Sequence, residues 1–199
     1  MKNKFFYNLI VLSFFYSGAL FSEELKINAS NLNYNDDKKI IIAEGNVNAT
    51  DDKNNQFFSD YAKYNKKDGV FESIGLTKII TAEGYTITGT NIIFDDNKNI
   101  VFSEYSAKVI DRNGNNIFLD MFSYYTNTNI IFSKGNIKIK DVNDNTYNFS
   151  EIYIDQIKRK MVGSDVKAYL NEEGFKVTPK NEPRFFANTM TFSEENKTF

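Results

Sequence analysis

From Leu32 to Thr50 the chain alternates apolar and polar positions in a fixed order. The apolar pair Leu32 and Tyr34 leads into a polar turn, Asn35 to Lys39. A β-branched run, Ile40 to Ile42, follows, then Gly45 and a second apolar pair, Val47 and Ala49. The same order returns from Ala62, from Ile92 and from Phe122. A fifth copy from Ile152 is one residue short, and a sixth starts at Met190. A fixed period of about 30 residues marks a repeat architecture. Each copy holds two β-rich runs separated by Asn, Asp and Gly, residues that accept turn geometry and hydrogen-bond their own backbone. Asp36-Asp37, Lys67-Asp68-Gly69, Asp95-Asp96-Asn97 and Asn113-Gly114-Asn115 are such turns. The spacing predicts an all-β fold, an antiparallel meander of two-strand repeats with about 10 to 12 strands and no long helix.

Stacking the copies gives columns that should face inward. One is Ile27, Phe57, Ile87, Ile117 and Tyr147; a second is Leu32, Ala62, Ile92, Phe122 and Ile152; a third is Tyr34, Tyr64, Phe94, Tyr124 and Ile154. On the returning strand the apolar columns are Ile40, Val70, Ile100 and Ile130, then Ile42, Glu72, Phe102 and Phe132, then Val47, Thr77, Ala107, Ile137 and Val166, then Ala49, Ile79, Val109, Ile139 and Ala168. Parity changes along each strand: 27 and 29 are odd where 32 and 34 are even, and 40 and 42 are even where 47 and 49 are odd. A strand alternates faces with period two, so one extra residue must be absorbed mid-strand. On the returning strand it falls near Gly45, Gly75 and Gly135, and glycine inside a strand marks a bulge or bend. Bends stacked at one level fold the sheet into a V or flattened roll with an apolar, aromatic inside.

The first 22 residues read differently. Lys2 and Lys4 precede a mostly apolar run, Phe5 to Leu20, and small residues follow up to Ser22. This is the layout of a bacterial secretory signal, residues 1–22, with cleavage after Ser22; the run is short for a membrane span. The mature part, 23–199, then forms one domain whose last repeat, from about residue 185, is incomplete. The whole chain of 199 residues is 41% hydrophobic and carries a net charge of −2, which implies no basic nucleic-acid surface. It has no Cys, His or Trp, which removes the thiol nucleophile and the commonest general base and metal ligand.

What remains for chemistry is thin. The acidic pairs Asp36-Asp37, Asp51-Asp52 and Asp95-Asp96 occupy repeat turns and read as solvated turn residues rather than glycosidase carboxylates or metal ligands. Asp141 to Asn145 imitates the start of a calcium loop but has Thr146 and Ile152 where that loop needs glycine and glutamate. Asn28, Asn48 and Asn148 head Asn-x-Ser/Thr triplets, as expected in an Asn-rich chain. An outer-membrane barrel ending at Phe199 would need unbroken alternation and an outward apolar band, and Thr191, Ser193, Glu195 and Lys197 are polar. No catalytic residue, metal ligand or cofactor is expected.

The repeat resembles the OstA-like (organic-solvent-tolerance) domain of the lipopolysaccharide transport system. The resemblance rests on Ala29-Ser30-Asn31-Leu32-Asn33-Tyr34, on Ile42-Ala43-Glu44-Gly45-Asn46-Val47 and on Asp60-Tyr61-Ala62-Lys63-Tyr64. It implies a β-jellyroll whose apolar interior carries the acyl chains of lipopolysaccharide in the periplasm and delivers the lipid to the outer membrane. Glu182 to Asn188 resembles the linker before the later repeats of the family's outer-membrane assembly protein, so the chain is expected to be an N-terminal part of such a protein, with a barrel region as a further partner, rather than the small soluble bridge protein. The candidates for an acyl groove are Ile27, Leu32, Tyr34, Ile42, Val47, Phe57, Tyr64, Ile92, Phe94, Phe102, Phe122, Tyr124, Phe132 and Ile137. Leu25, Ile27 and Ala29 lie on a first strand with no predecessor and no blunting proline or inward charge, so this edge is expected to pair with a similar jellyroll domain. The rival reading is a secreted β-solenoid or adhesin stalk, which would stack parallel rungs.

Overall fold

The computed structural model describes residues 25–171 and 183–193. The proposed signal at 1–22 and the terminal Phe199 lie outside the described residues. Sixteen strands are present among them and no helix. They are β1 (Lys26–Asn28), β2 (Asn31–Asn35), β3 (Ile40–Thr50), β4 (Gln56–Asn65), β5 (Val70–Ile74), β6 (Leu76–Ile80), β7 (Thr86–Thr90) and β8 (Ile93–Asp95). There follow β9 (Ile100–Ser103), β10 (Ala107–Ile110), β11 (Asn116–Leu119), β12 (Phe122–Tyr125), β13 (Ile130–Lys140), β14 (Thr146–Asp155), β15 (Lys160–Tyr169) and β16 (Arg184–Ser193). All belong to one sheet and every pairing is antiparallel, which excludes the parallel rungs of a solenoid for this part of the chain.

The sheet is a jellyroll of two arms that meet at a corner. The first arm runs β2-β3-β4-β5-β8-β9-β12-β13-β14-β15-β16 and the second runs β1-β3-β4-β6-β7-β10-β11-β13-β14-β15-β16. The long strands β3, β4 and β13 to β16 pass through the corner, whereas the strands between β4 and β13 are broken there. Against β4 the β3 ladder slips by one residue between Glu44 and Val47, and against β14 the β13 ladder slips between Lys134 and Ile137. Gly45, Asn46 and Gly135 stand at these steps, and Gly75 at the break between β5 and β6, all with positive φ, the backbone region that favours glycine and asparagine. The stacked glycine bends expected from parity are therefore present. The β14–β15 ladder has no slip. The residue missing from the fifth copy is the bulge residue.

Where the ladders break, serine hydroxyls add donors to the backbone carbonyls, and the Ile92 carbonyl also accepts from the Ser73 N–H (2.9 Å). Ser73 Oγ donates to the Ile92 carbonyl (3.1 Å), Ser103 Oγ to Thr90 (2.8 Å) and Ser133 Oγ to Met121 (2.6 Å). All three serines are buried at one level of the returning strands. A buried carbonyl without a partner costs on the order of 1–3 kcal/mol, so these hydroxyls stabilise the corner.

Two of the expected columns are corrected. On the first arm the inward returning positions are Ile41, Phe71, Val101 and Ile131, then Ala43, Ser73, Ser103, Ser133 and Gly163; they pair across to Tyr34, Tyr64, Phe94 and Tyr124 and to Leu32, Ala62 and Ile152. Ile40, Val70, Ile100 and Ile130, and with them Ile42, Phe102 and Phe132, face outward and are only half-buried. The reason is the bulge. The outgoing strands change phase at the corner without an insertion (Phe57, then Ala62 and Tyr64), while the extra residue keeps the returning strand in one phase: 41, 43, 47 and 49 all face in.

Candidate functional site

The space between the arms is filled by columns that come from the repeat itself, so its chemistry is set residue by residue along the period. In the middle of the molecule it is closed. Phe57 of the second arm stacks on Phe94 of the first (5.5 Å between ring centroids) and packs obliquely on Phe71 (5.8 Å). Val47, Tyr64, Ile92, Phe122, Tyr124 and Ile137 are buried in the same core, with Ile27 half-buried against it. Of the groove candidates, then, Val47, Phe57, Tyr64, Ile92, Phe94, Phe122, Tyr124 and Ile137 are core; Ile42, Phe102 and Phe132 are on the outside, where Phe132 meets Tyr153 (4.8 Å).

The interior opens at its two ends. Leu32 and Tyr34 continue the inward columns onto β2, yet they are 54% and 50% exposed, because no strand of the described chain lies beyond β2. Tyr34 Oη donates to Asp36 Oδ1 (3.1 Å), which turns the polar end of the ring toward the turn. At the other end a cavity of about 520 Å³ lies between the arms. Ile117, Ile139, Tyr85 and Tyr147 line it from the second arm and Ile154, Met161, Met190 and Phe192 from the first; Asp111, Asn115, Asp141 and Asn143 form its polar border. Met190 and Phe192 sit in the register places of Leu32 and Tyr34. A volume of this size, mostly apolar and edged by a few polar groups, suits an apolar ligand of roughly 300–1,000 Å³.

What closes the middle and leaves this end open is a rim of polar bridges. Lys53 Nζ donates to Asn99 Oδ1 (2.7 Å) and Thr126 Oγ1 (3.1 Å), Tyr124 Oη lies within hydrogen-bond reach of Asn55 Oδ1 (3.1 Å), and Thr81 Oγ1 donates to Gln156 Oε1 (2.8 Å). Each joins a second-arm turn to the first arm, at a turn or, for Tyr124, at strand β12. The cavity begins beyond these bridges, at the 111–115 turn.

The second-arm turns carry a motif that parity reasoning passes over. Asp51 and Asn55, Asp111 and Asn115, and Asp141 and Asn145 repeat as Asp-x-x-x-Asn. Each Asp Oδ1 accepts from the Asn backbone N–H and each Asp Oδ2 from the Asn Nδ2 (2.6–2.8 Å). Each Asn Oδ1 then accepts from the next turn, at Ala82, Val142 and Asn171. The carboxylates are occupied by turn hydrogen bonds, so the calcium-like stretch at Asp141 is a structural turn. Burial pushes Asp51 above its ordinary value of 3.8 against the opposing hydrogen bonds from Asn55. Burial, with the Asp141 carboxylate beside it, likewise pushes the Tyr147 hydroxyl well up, so it stays protonated at the cavity border. Among the described residues no cluster of three acidic side chains could hold a metal ion, and no helix is long and apolar enough to cross a membrane.

Leu25, Ile27 and Ala29 are half-buried and pack on the core from the first edge. Strand β1 pairs with β3 alone and β16 with β15 alone, so the described sheet has an edge at each end. The signal for these edges was legible in the repeat; the polar rim, which joins residues far apart in sequence, was not.

No family model matches the chain, and no curated protein matches it in sequence. Among solved structures it is similar to LptH, titled the LptA-homologous periplasmic component of the lipopolysaccharide transport device of Pseudomonas aeruginosa. The identity is 15%, the match covers 83% of this chain and 96% of that one, and the TM-score is 0.29. A likeness of this size carries no functional argument.

Proposed function

We propose that this chain is a lipid-carrying jellyroll that holds the acyl chains of an amphipathic glycolipid, of the lipopolysaccharide class, between its two arms. The observation that carries the reading is the apolar cavity of about 520 Å³ continuous with the inward columns. The OstA-like resemblance of the repeat supports the glycolipid as cargo, and the exposed inward pair Leu32 and Tyr34 supports a second opening. Transfer of acyl chains from water gives about 0.8 kcal/mol per buried methylene. Asp111, Asn113, Asn115 and Asp141 at the border keep sugars and phosphates in water. The mechanism is passive binding and release with no bond made or broken. Placing the work in the periplasm, with delivery to the outer membrane and edge-to-edge pairing through Leu25, Ile27 and Ala29, belongs to the same proposal.

The test is site-specific photo-crosslinking with rough lipopolysaccharide. A crosslinker at Met161, Phe192 or Tyr34 should capture the lipid, and one at Phe102 on the outer face or at Asp36 in a turn should not. Met190→Trp, which fills the cavity, should weaken capture at Met161 while the chain stays folded. Equal capture at Phe102 and Met161 sinks the reading.

A further inference from the structure

The net charge of −2 conceals a segregated surface. The cross-strand register places one outward row along the whole second arm. In spatial order it reads Asn28, Asn48, Phe58, Lys78, Thr88, Lys108, Phe118, Lys138, Asn148, Lys167 and Phe186. The neighbouring row toward the turns adds Lys26, Ile80, Ile110, Lys140, Tyr169 and Arg184. The two rows together hold seven basic residues and no acid. Four of the lysines occupy one repeat position (78, 108, 138, and 167 where the fifth copy is a residue short), so they recur on every second strand. With strands about 4.8 Å apart the lysines stand about 10 Å from one another and the row runs about 48 Å.

These charges are available. None of Lys78, Lys108, Lys138 and Lys167 forms an ion pair among the described residues. Lys140 does, with Asp144 (2.7 Å). At the corner, Asp120 Oδ2 accepts from Asn136 and Asp165 Oδ2 from Ser150. Lys108 Nζ lies 5.7 Å over the Phe118 ring, which holds the ammonium above the sheet. Phe118 and Phe186 are themselves exposed, Phe186 by 64%.

We infer that this face docks the chain on an anionic phospholipid surface. A row of cations complements a plane of phosphates, and rings and isoleucines set between the lysines enter the headgroup layer while the lysine stems extend to its charge. A nucleic-acid groove would draw on arginine forks for phosphate, and among the described residues these two rows have one arginine, Arg184. The face points away from the cavity, so the inference stands apart from the cargo proposed above. A docked chain would keep its interior open at both ends while resting on its second arm.

Flotation of the purified chain with phosphatidylcholine vesicles, with and without phosphatidylglycerol, tests this. Binding should require the anionic lipid and fall with added salt. Each Lys→Gln change in the row should weaken partitioning about fivefold, and the quadruple Lys78→Gln, Lys108→Gln, Lys138→Gln, Lys167→Gln variant about a hundredfold or more. Lys63→Gln with Lys66→Gln and Lys67→Gln, on the first arm, should bind as the parent does, and circular dichroism should show both variants folded. Phe118→Ala should weaken binding at high salt, where the charges are screened. Equal binding to neutral vesicles, unchanged binding by the quadruple variant, or retention on DNA with no preference for anionic vesicles would each overturn the inference.

Discussion

Replacing Phe57 by alanine tests the inside-out assignment of the repeat most directly. Phe57 is 1% exposed and is the ring on which the arms meet, stacked on Phe94 and tilted on Phe71. Truncating a buried phenylalanine costs about 3–5 kcal/mol, and the two ring contacts place this one in the middle of that range at about 4 kcal/mol. For a domain of this size each kcal/mol moves the melting temperature by about 2–4 °C, so the loss should be about 8–16 °C. Phe132→Ala removes the same atoms from the outer face, where the ring is half-buried and touches Tyr153 at 4.8 Å. Losing a cross-strand pair with part of its area costs about 1–1.5 kcal/mol, or about 2–6 °C. Thermal and urea melts followed by circular dichroism would separate the two variants, and the urea slope reports whether the unfolding stays cooperative. Equal destabilisation by Phe57→Ala and Phe132→Ala would refute the phase of the returning strands and with it the placement of the cavity.

Three other outcomes follow from named contacts. Gly163→Ala should destabilise by about 1–3 kcal/mol or more, because its Cβ would stand 2.3 Å from Phe149 Cδ1 with no bulge to take up the strain; Gly75→Ala meets open space and should cost only the left-handed backbone, about 1–2 kcal/mol, in the same melts. Ser133→Ala should cost about 0.5–1.5 kcal/mol by removing the hydroxyl donor to the half-buried Met121 carbonyl, whereas Ser123→Ala on the outer face should be near neutral. Asp51 has its carboxyl held above 3.8 by burial, so the stability it contributes is complete below that value and is lost as pH rises through its higher native value. Urea midpoints of the parent minus those of Asp51→Asn should therefore fall as pH is raised from below 3.8, and a rising difference would contradict the assignment.

The repeat was legible because it is local. A period of this size, turn residues at one phase and glycines at another specify hairpins and bends without knowledge of what packs on what, and the structure has both. Even the short fifth copy has a local meaning, since the residue it lacks is the bulge residue. The facing of Ile40 and Ile42 against Ile41 and Ala43 could not be read that way. A β-branched run gives no alternation, and the first arm is apolar on both sides, so only the pairing of Ile41 with Tyr34 and Tyr64 selects the inner set. Phe102 and Phe132 went to the wrong face for the same reason. The cavity was out of reach as well: it depends on rim bonds such as Thr81 to Gln156, whose partners lie 75 positions apart, and on Met161 and Phe192 facing Ile117 and Ile139 across the cavity. The lysine row combines both sources. Its spacing is written in the period, but Lys78, Lys108, Lys138 and Lys167 become a surface only when the register sets every second strand side by side and turns those side chains to solvent. Sequence thus determined the hairpins, the bends and the columns; which face of each column is inside, where the arms part, and which charges stand together were decided by pairing between residues distant along the chain.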